Sequence, residues 1–255
     1  HVSAAKKAAF VHVDYVQAGY TRRLDKDCYV DFDRIFAVSD ETAGVFACVY
    51  PECQQKLSVF HNLIDTETIR QKALLPAEKS MHEGIRLLTV GRLTPQKGFD
   101  CAVYALKLLL EKQYPVYWYI IGEGPEYGRL TQLARSLHVE DHFIFLGMQT
   151  NPYPYFKMAD FYIHATRFEG KSIAIQEAQV LGCAIAASDC SGNREQIVSG
   201  VDGLLCPFSP EGIANAVEYL IEHPQTAQSF GRAAAQKACH FENDIHMIRD
   251  LLYSP

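Results

Sequence analysis

Residues 169 to 177 read EGKSIAIQE, a glutamate at each end of a stretch whose interior holds one lysine, one serine and a short apolar run. Two carboxylates so spaced suggest either an acid/base pair or two handles on one extended ligand. A hydrolytic pair must flank a single atom at a separation of roughly 5 to 10 Å, a test that two handles need not meet. If Ser172 caps the following helix, the N–H groups near Gly170 to Ile173 are free to hold a phosphate without a metal ion. Glu169 then stands on the loop before the helix and Glu177 in its second turn, with the phosphates between them. Glu177 as a solvated helical residue is the alternative. Apolar neighbours at 173, 174, 175, 178, 180 and 181 leave it little polar face, and a partly buried carboxylate wants a hydrogen-bond partner, which ligand hydroxyls would supply.

The stretch GRLTPQKG (91 to 98) follows a strand-like run and puts Arg92 and Lys97 on one short loop. A guanidinium fork beside an ammonium suits a pyrophosphate, although a solvated basic turn fits the same residues equally well. GEGP (122 to 125) lacks the complete G-x-G-x-x-G and reads as a tight strand-to-helix turn rather than a dinucleotide fingerprint. His12, in FVHVDY, ends a strand-like run, where an imidazole can face a cleft and bond a substrate hydroxyl. The pattern alone favours a satisfied core histidine. DFD (31 to 33) has the Asp-x-Asp form that holds a divalent ion against phosphates, but it precedes a strand, at the wrong end of a sheet, and reads as surface.

The elements that would position these residues are legible as alternating runs. Strands are predicted at 86–91, 116–122, 142–147, 161–166, 184–188 and 203–208, with helices at 98–113, 126–138, 152–158, 172–181, 193–199 and 210–222. Continuous hydrophobicity in the strands implies burial on both faces, as in a parallel sheet wrapped by helices. The βαβ order makes this a doubly wound α/β domain, whose ligands bind where loops leave the carboxyl ends of the strands. Upstream, 8–14, 34–39 and 56–62 look like three further strands, too few for an independent open sheet of this class. The chain opens on His rather than Met, which predicts that it begins inside a longer protein. The expected organisation is therefore one complete Rossmann-like domain over 78–238, the C-terminal part of a second over 1–77, a polar linker at 63–84 carrying the boundary, and a C-terminal helix over 239–255 that returns toward the first domain.

Composition narrows the function. The chain has 255 residues, 48% hydrophobic and 21% charged, with a net charge of −6 that argues against a broad nucleic-acid-binding face. No apolar run approaches the roughly 20 residues of a membrane span, and the first residues lack a cleavable apolar region. Eight cysteines, at 28, 48, 53, 101, 183, 190, 206 and 239, show no C-x-x-C spacing. A reduced, cytosolic compartment is expected, with Cys101, Cys183 and Cys206 as small core residues.

Taken together, AVSDETAGVF, VFHNLID, LLTVGRLTPQKGFD, IIGEGPE, FLGMQTNPYPYFKMADFYIHATRFEG, the E-x7-E nonapeptide and GCAIAASDCSGNREQIVSGVDGLLCPF resemble the retaining, GT-B-fold glycosyltransferases of group 1, also called family 4. FVHVDY looks most like members that build capsular, lipopolysaccharide or exopolysaccharide repeats. The resemblance implies a nucleotide diphosphate sugar as donor, no metal or other cofactor, and a glycan or lipid-linked glycan as acceptor, with peripheral contact at the inner face of a membrane. It implies that Arg92 and Lys97 neutralise the donor diphosphate together with the amides of Gly170, Lys171 and Ser172. Glu169 would contact the transferred sugar, Glu177 the ribose, and the backbone at Gly147 and Met148 the base, while His12 faces donor sugar and acceptor across the cleft. The competing readings are a nucleotide-sugar-binding module without transfer, or an epimerase or phosphorylase on the same fold.

Overall fold

The computed structural model describes residues 4, 6–238 and 244–253. The chain runs β1 (Ala8–Val11), α1 (Arg22–Asp25), β2 (Arg34–Ala37), α2 (Asp40–Val49), β3 (Leu57–Val59) and α3 (Thr66–Lys72), then β4 (Ile85–Val90), α4 (Phe99–Glu111), β5 (Val116–Ile121), α5 (Tyr127–Ser136), β6 (Phe143–Gly147) and α6 (Tyr153–Met158). It continues through β7 (Phe161–His164), α7 (Ile173–Val180), β8 (Ala184–Ser188), α8 (Ser191–Arg194), β9 (Leu204–Cys206), α9 (Pro210–Glu222), α10 (Pro224–Ala238) and α11 (Ile245–Tyr253). Two parallel sheets result, one in the order β1-β2-β3 and the other in the order β6-β5-β4-β7-β8-β9.

The larger sheet is buried on both faces, the condition its continuous apolar runs require. Trp118, Leu87, Ile120 and Ile163 point to the side covered by α4, α5 and α9, whereas Tyr119, Leu88, Tyr162 and Ile185 point to the side of α6 and α7. Trp118 donates its indole N–H to Thr89 at 2.9 Å, and Thr89 donates to the Ile163 carbonyl at 2.6 Å, so the one tryptophan is satisfied inside the core. Strand order reverses between β4 and β7: the chain proceeds outward through β5 and β6 on one side, then through β8 and β9 on the other. The crevice above this switch point, between the carboxyl ends of β4 and β7, is where such a sheet binds ligands.

The smaller sheet packs Val11, Ile35 and Ala37 against Phe46, Tyr15 and Tyr50 on one face. Its other face gathers Phe10, Phe36 and Phe60 in ring contacts of 5.2 to 5.5 Å. Ser39 caps α2 by accepting from the Thr42 N–H at 3.2 Å. Beside this sheet lies α11, and Arg34, Phe36 and Ser58 share with Met247, Asp250 and Leu251 the walls of a cavity of about 390 Å³.

Several sequence expectations change. The helix expected at 193–199 is instead the short α8, because a turn starting at Cys190 tucks Gly192 against the backbone of Glu169 and Gly170. The sequence reading omitted α10. Its Ala227, Gly231 and Ala234, with Phe230 among them, form a buried stripe that lies against α7, β8 and α9. Within the stretch read as a linker, α3 buries Ile69 with Val180 and Ala238. The seven described cysteines are free; Cys53 is buried as well as Cys101 and Cys206, whereas Cys183 is half-buried. Cys239 and residues 240–243 of the expected C-terminal helix lie outside the described residues. Among the described residues no helix is long and apolar enough to cross a membrane.

Candidate active site

Two loops leave the switch point together, one after β4 (91–98) and one after β7 (165–172). They are bound to each other through backbone carbonyls that accept from both backbone and side-chain donors. Arg167 N–H donates to the Gln96 carbonyl at 2.8 Å, the Gln96 amide donates to the Phe168 carbonyl at 2.9 Å, and Thr166 Oγ1 donates to the Gln96 carbonyl at 3.1 Å. Gly98 makes this approach possible: its φ is +60°, and a Cβ there would stand 2.4 Å from the Ala165 carbonyl oxygen. The Arg167 guanidinium clamps the outer side with paired bonds to Asp100 at 3.1 and 2.8 Å.

This packing brings Lys97 to Glu169. The ammonium forms a short ion pair with Glu169 Oε2, and the same oxygen lies 3.4 Å from Nε2 of His164. Nδ1 of His164 lies 3.2 Å from the Tyr162 hydroxyl. Glu169 is 7% exposed and His164 2%. Burial works to push the Glu169 carboxyl up, but the His164 hydrogen bond and the Lys97 charge outweigh it and hold the group down to about 2. Burial pushes the His164 imidazole below its ordinary value, against the pull of Glu169. The site is thus a fixed anion held by one cation and one neutral ring.

At the other end of the nonapeptide, Glu177 is half-buried and accepts from the Tyr153 hydroxyl at 3.0 Å. Burial raises its carboxyl above the usual range. The partner expected from a ligand is therefore supplied, at least in part, by the protein. Ser172 occupies the N-cap position of α7, but its side chain makes no capping bond, which corrects the sequence expectation. The N–H groups of Gly170, Ser172 and Ile173 meet no acceptor among the described residues and stay available at the helix start. Arg92 is exposed and enters no ion pair among the described residues.

Gly147 ends β6 and the exposed Met148 follows it; Gly147 lines a cavity of about 500 Å³ with Gly122, Glu123, Tyr127 and Phe145. The GEGP turn is therefore both structural and next to an open space, its Gly122 and Gly124 riding over the backbone of Gly91 and Leu93. His12 is exposed rather than a core histidine, and its carbonyl oxygen would lie 2.3 Å from a Cβ on Gly170. The carboxyl end of the small sheet thus meets the nonapeptide directly. Two further contacts tie the same junction: the Asn62 amide donates to the Lys171 carbonyl at 3.0 Å and to Gln176 at 3.2 Å, and the Glu41 N–H donates to Glu195 at 2.7 Å. Asp31 and Asp33 are exposed at the amino end of β2, as the sequence reading placed them. Sequence reasoning did not single out His164, Tyr162, Tyr153 or Asn62; a histidine inside the otherwise apolar run FYIH was the available signal.

A family model described as glycosyl transferases group 1 matches residues 69–237. The chain belongs to this family. Among curated relatives, the N-acetylgalactosamine-N,N'-diacetylbacillosaminyl-diphospho-undecaprenol 4-alpha-N-acetylgalactosaminyltransferase of Campylobacter jejuni is 30% identical over 200 residues, 78% of this chain and 53% of that protein. The chain spans about half the length of the curated relatives it matches. Among solved structures, Anabaena HepE in complex with UDP and glucose superposes with a TM-score of 0.81 at 19% identity, covering 97% of this chain and 71% of that one. The pneumococcal O-GlcNAc transferase GtfA in complex with UDP and GlcNAc superposes with a TM-score of 0.76 at 17% identity, over 97% of this chain and 53% of that one. The fold is accordingly GT-B: a six-stranded doubly wound domain with three parallel strands of a second Rossmann-like domain.

Proposed function

We propose that this chain forms the donor side of a retaining glycosyltransferase that moves a sugar from a nucleotide diphosphate sugar to a glycan or lipid-linked acceptor in cell-surface polysaccharide synthesis. The observation that carries the reading is the convergence, at one switch point, of an exposed guanidinium, the Lys97–Glu169 pair and the open amides at the start of α7. Departure of the diphosphate develops negative charge on its oxygens and positive charge on the sugar, so groups fixed in advance act where charge grows. Arg92, Lys97 and the Gly170, Lys171 and Ser172 amides take the diphosphate, which makes a metal ion unnecessary. Glu169 accepts from the transferred sugar, Glu177 from the ribose hydroxyls, and the backbone at Gly147 and Met148 meets the base. His12 faces the sugar and acceptor from the small sheet. In a front-face displacement the leaving phosphate takes the acceptor proton, so no general base is drawn from the protein. The names of the relatives support this reading: two neighbours hold UDP with a sugar, and the Campylobacter relative acts on a diphospho-undecaprenol. A cytoplasmic location with contact at the membrane's inner face follows for an acceptor of that kind.

The test is thermal unfolding with UDP or GDP, in EDTA and in magnesium. One of the two should raise the melting temperature in EDTA, and Arg92→Ala should lower its affinity at least about tenfold with little change in the unliganded protein. A shift that needs a divalent ion and survives both Arg92→Ala and Lys97→Ala would sink the assignment. Because the chain spans about half the length of its relatives, a second reading is a donor-binding module without transfer. Release of nucleoside diphosphate from a donor panel, compared between this chain and one extended to the relatives' length, separates the two.

A further inference from the structure

Glu169 is gripped through one oxygen only. Its Oε2 takes both Lys97 and His164, while Oε1 has no protein partner among the described residues and is not among the fully enclosed polar atoms left unpaired. We propose that His164, backed by Tyr162, is a positioning residue that fixes the Glu169 carboxylate with Oε1 turned toward the donor sugar, an inference that rests on the function proposed above.

The chemistry assigns the protons. An ionised Glu169 only accepts, so the ring nitrogen facing it, Nε2, carries the hydrogen. A neutral ring then leaves Nδ1 as an acceptor, and the Tyr162 hydroxyl 3.2 Å away donates to it. For a neutral ring, the direction Tyr162 to His164 to Glu169 is the one arrangement in which every member is satisfied while the carboxylate stays charged. Lys97 alone would not orient the carboxylate, because an ammonium on a four-carbon stem is a freely turning point charge. The imidazole, by contrast, projects from β7 inside the core and lies near-parallel to the Tyr162 ring, at 26° with 6.0 Å between centroids. Its N–H therefore has a fixed direction. With Oε2 held on that side, a sugar hydroxyl is accepted by Oε1 without reorganisation at the moment of transfer.

Nitrogen NMR on the histidine-labelled protein tests the arrangement directly, with the His164 ring assigned by its disappearance in His164→Gln. A neutral Nε2–H ring whose signal moves in Glu169→Gln is expected; an Nδ1–H ring or an imidazolium at pH 7 overturns the proposal. A kinetic arm uses the best donor of the panel above. His164→Leu should lower turnover about 10- to 100-fold with UDP or GDP affinity within about twofold of the parent, and His164→Gln, which keeps a donor at the same reach, should recover most of the loss. Equal losses of turnover and nucleoside diphosphate affinity, or glutamine no better than leucine, also overturn it. If the parent neither binds a nucleoside diphosphate nor turns over any donor, the functional reading fails, and the ring tautomer still decides whether His164 positions Glu169.

Discussion

Burial opposes the charged form of both glutamates that end the nonapeptide, and the two sites answer it differently. At Glu169, His164 and Lys97 overturn the effect and hold the carboxyl down to about 2; at Glu177 the Tyr153 hydroxyl alone opposes it, and the carboxyl stays raised. Two identical side chains on one short stretch are therefore built for different tasks. Under the function proposed above, a carboxylate with fixed charge beside the diphosphate would orient the sugar without ever taking a proton. A carboxylate short of partners is completed by whatever hydroxyls arrive, as those of a ribose would. The spacing that first suggests an acid/base pair separates two independent environments.

Removing Glu169 breaks the comparison most severely. Glu169→Ala strands the Lys97 ammonium and the His164 N–H in the same partly buried space, and should cost about 3 kcal/mol in urea unfolding with an unchanged slope. Glu177→Gln should move stability by no more than about 0.5 kcal/mol at pH 7, because it removes an anion that burial already disfavours. The pH dependence carries opposite signs. A group held near 2 against its usual 4.5 contributes stability that is fully present above pH 4.5 and disappears as the pH falls through 2, an amount of roughly 3 kcal/mol. Glu177, with its folded value raised, binds its proton more readily in the folded state, so its contribution improves as the pH falls toward 4.5. If both variants flatten the acid limb equally, the two environments are not distinct.

A smaller effect is expected where the small sheet meets the nonapeptide. Gly170→Ala places a Cβ 2.3 Å from the His12 carbonyl oxygen and 3.0 Å from its carbon, contacts that backbone atoms cannot relieve by a rotamer change. The two sheets must separate slightly, which should cost about 2 kcal/mol and shift the His12 ring resonances. A variant as stable as the parent, with His12 unmoved, would show that the junction is looser than this geometry.

Much of this was readable in advance because the strands are buried on both faces and the loops at their carboxyl ends carry charges. The runs at 86–91, 116–122 and 184–188 correspond to β4, β5 and β8 within a residue at either end. What could not be read was set by tertiary packing. Lys97 and Glu169 lie 72 residues apart, and their pairing depends on how closely Gly98 lets one loop approach the other. His164 looked like part of a hydrophobic strand because ring burial and hydrogen bonding leave no trace in periodicity. The helix α10 escaped notice because its buried stripe is built of alanine and glycine with one phenylalanine, so no series of large apolar side chains marks its inner face. Ser172 stands where a cap belongs and does not cap. Residue type there predicts position and not the bond.

The finest contrast between the two glutamates lies in a single hydroxyl. Tyr153→Phe removes the one protein donor that Glu177 accepts from among the described residues, and should cost about 1 kcal/mol at pH 8, where the carboxylate is charged and left without it. Below the raised titration of Glu177 the cost should shrink, because a protonated carboxyl no longer needs that donor. In a Glu177→Gln background the same tyrosine change should be small and independent of pH. A pH-independent cost in the parent would mean that Tyr153 acts through its packing, and that burial alone sets the state of Glu177.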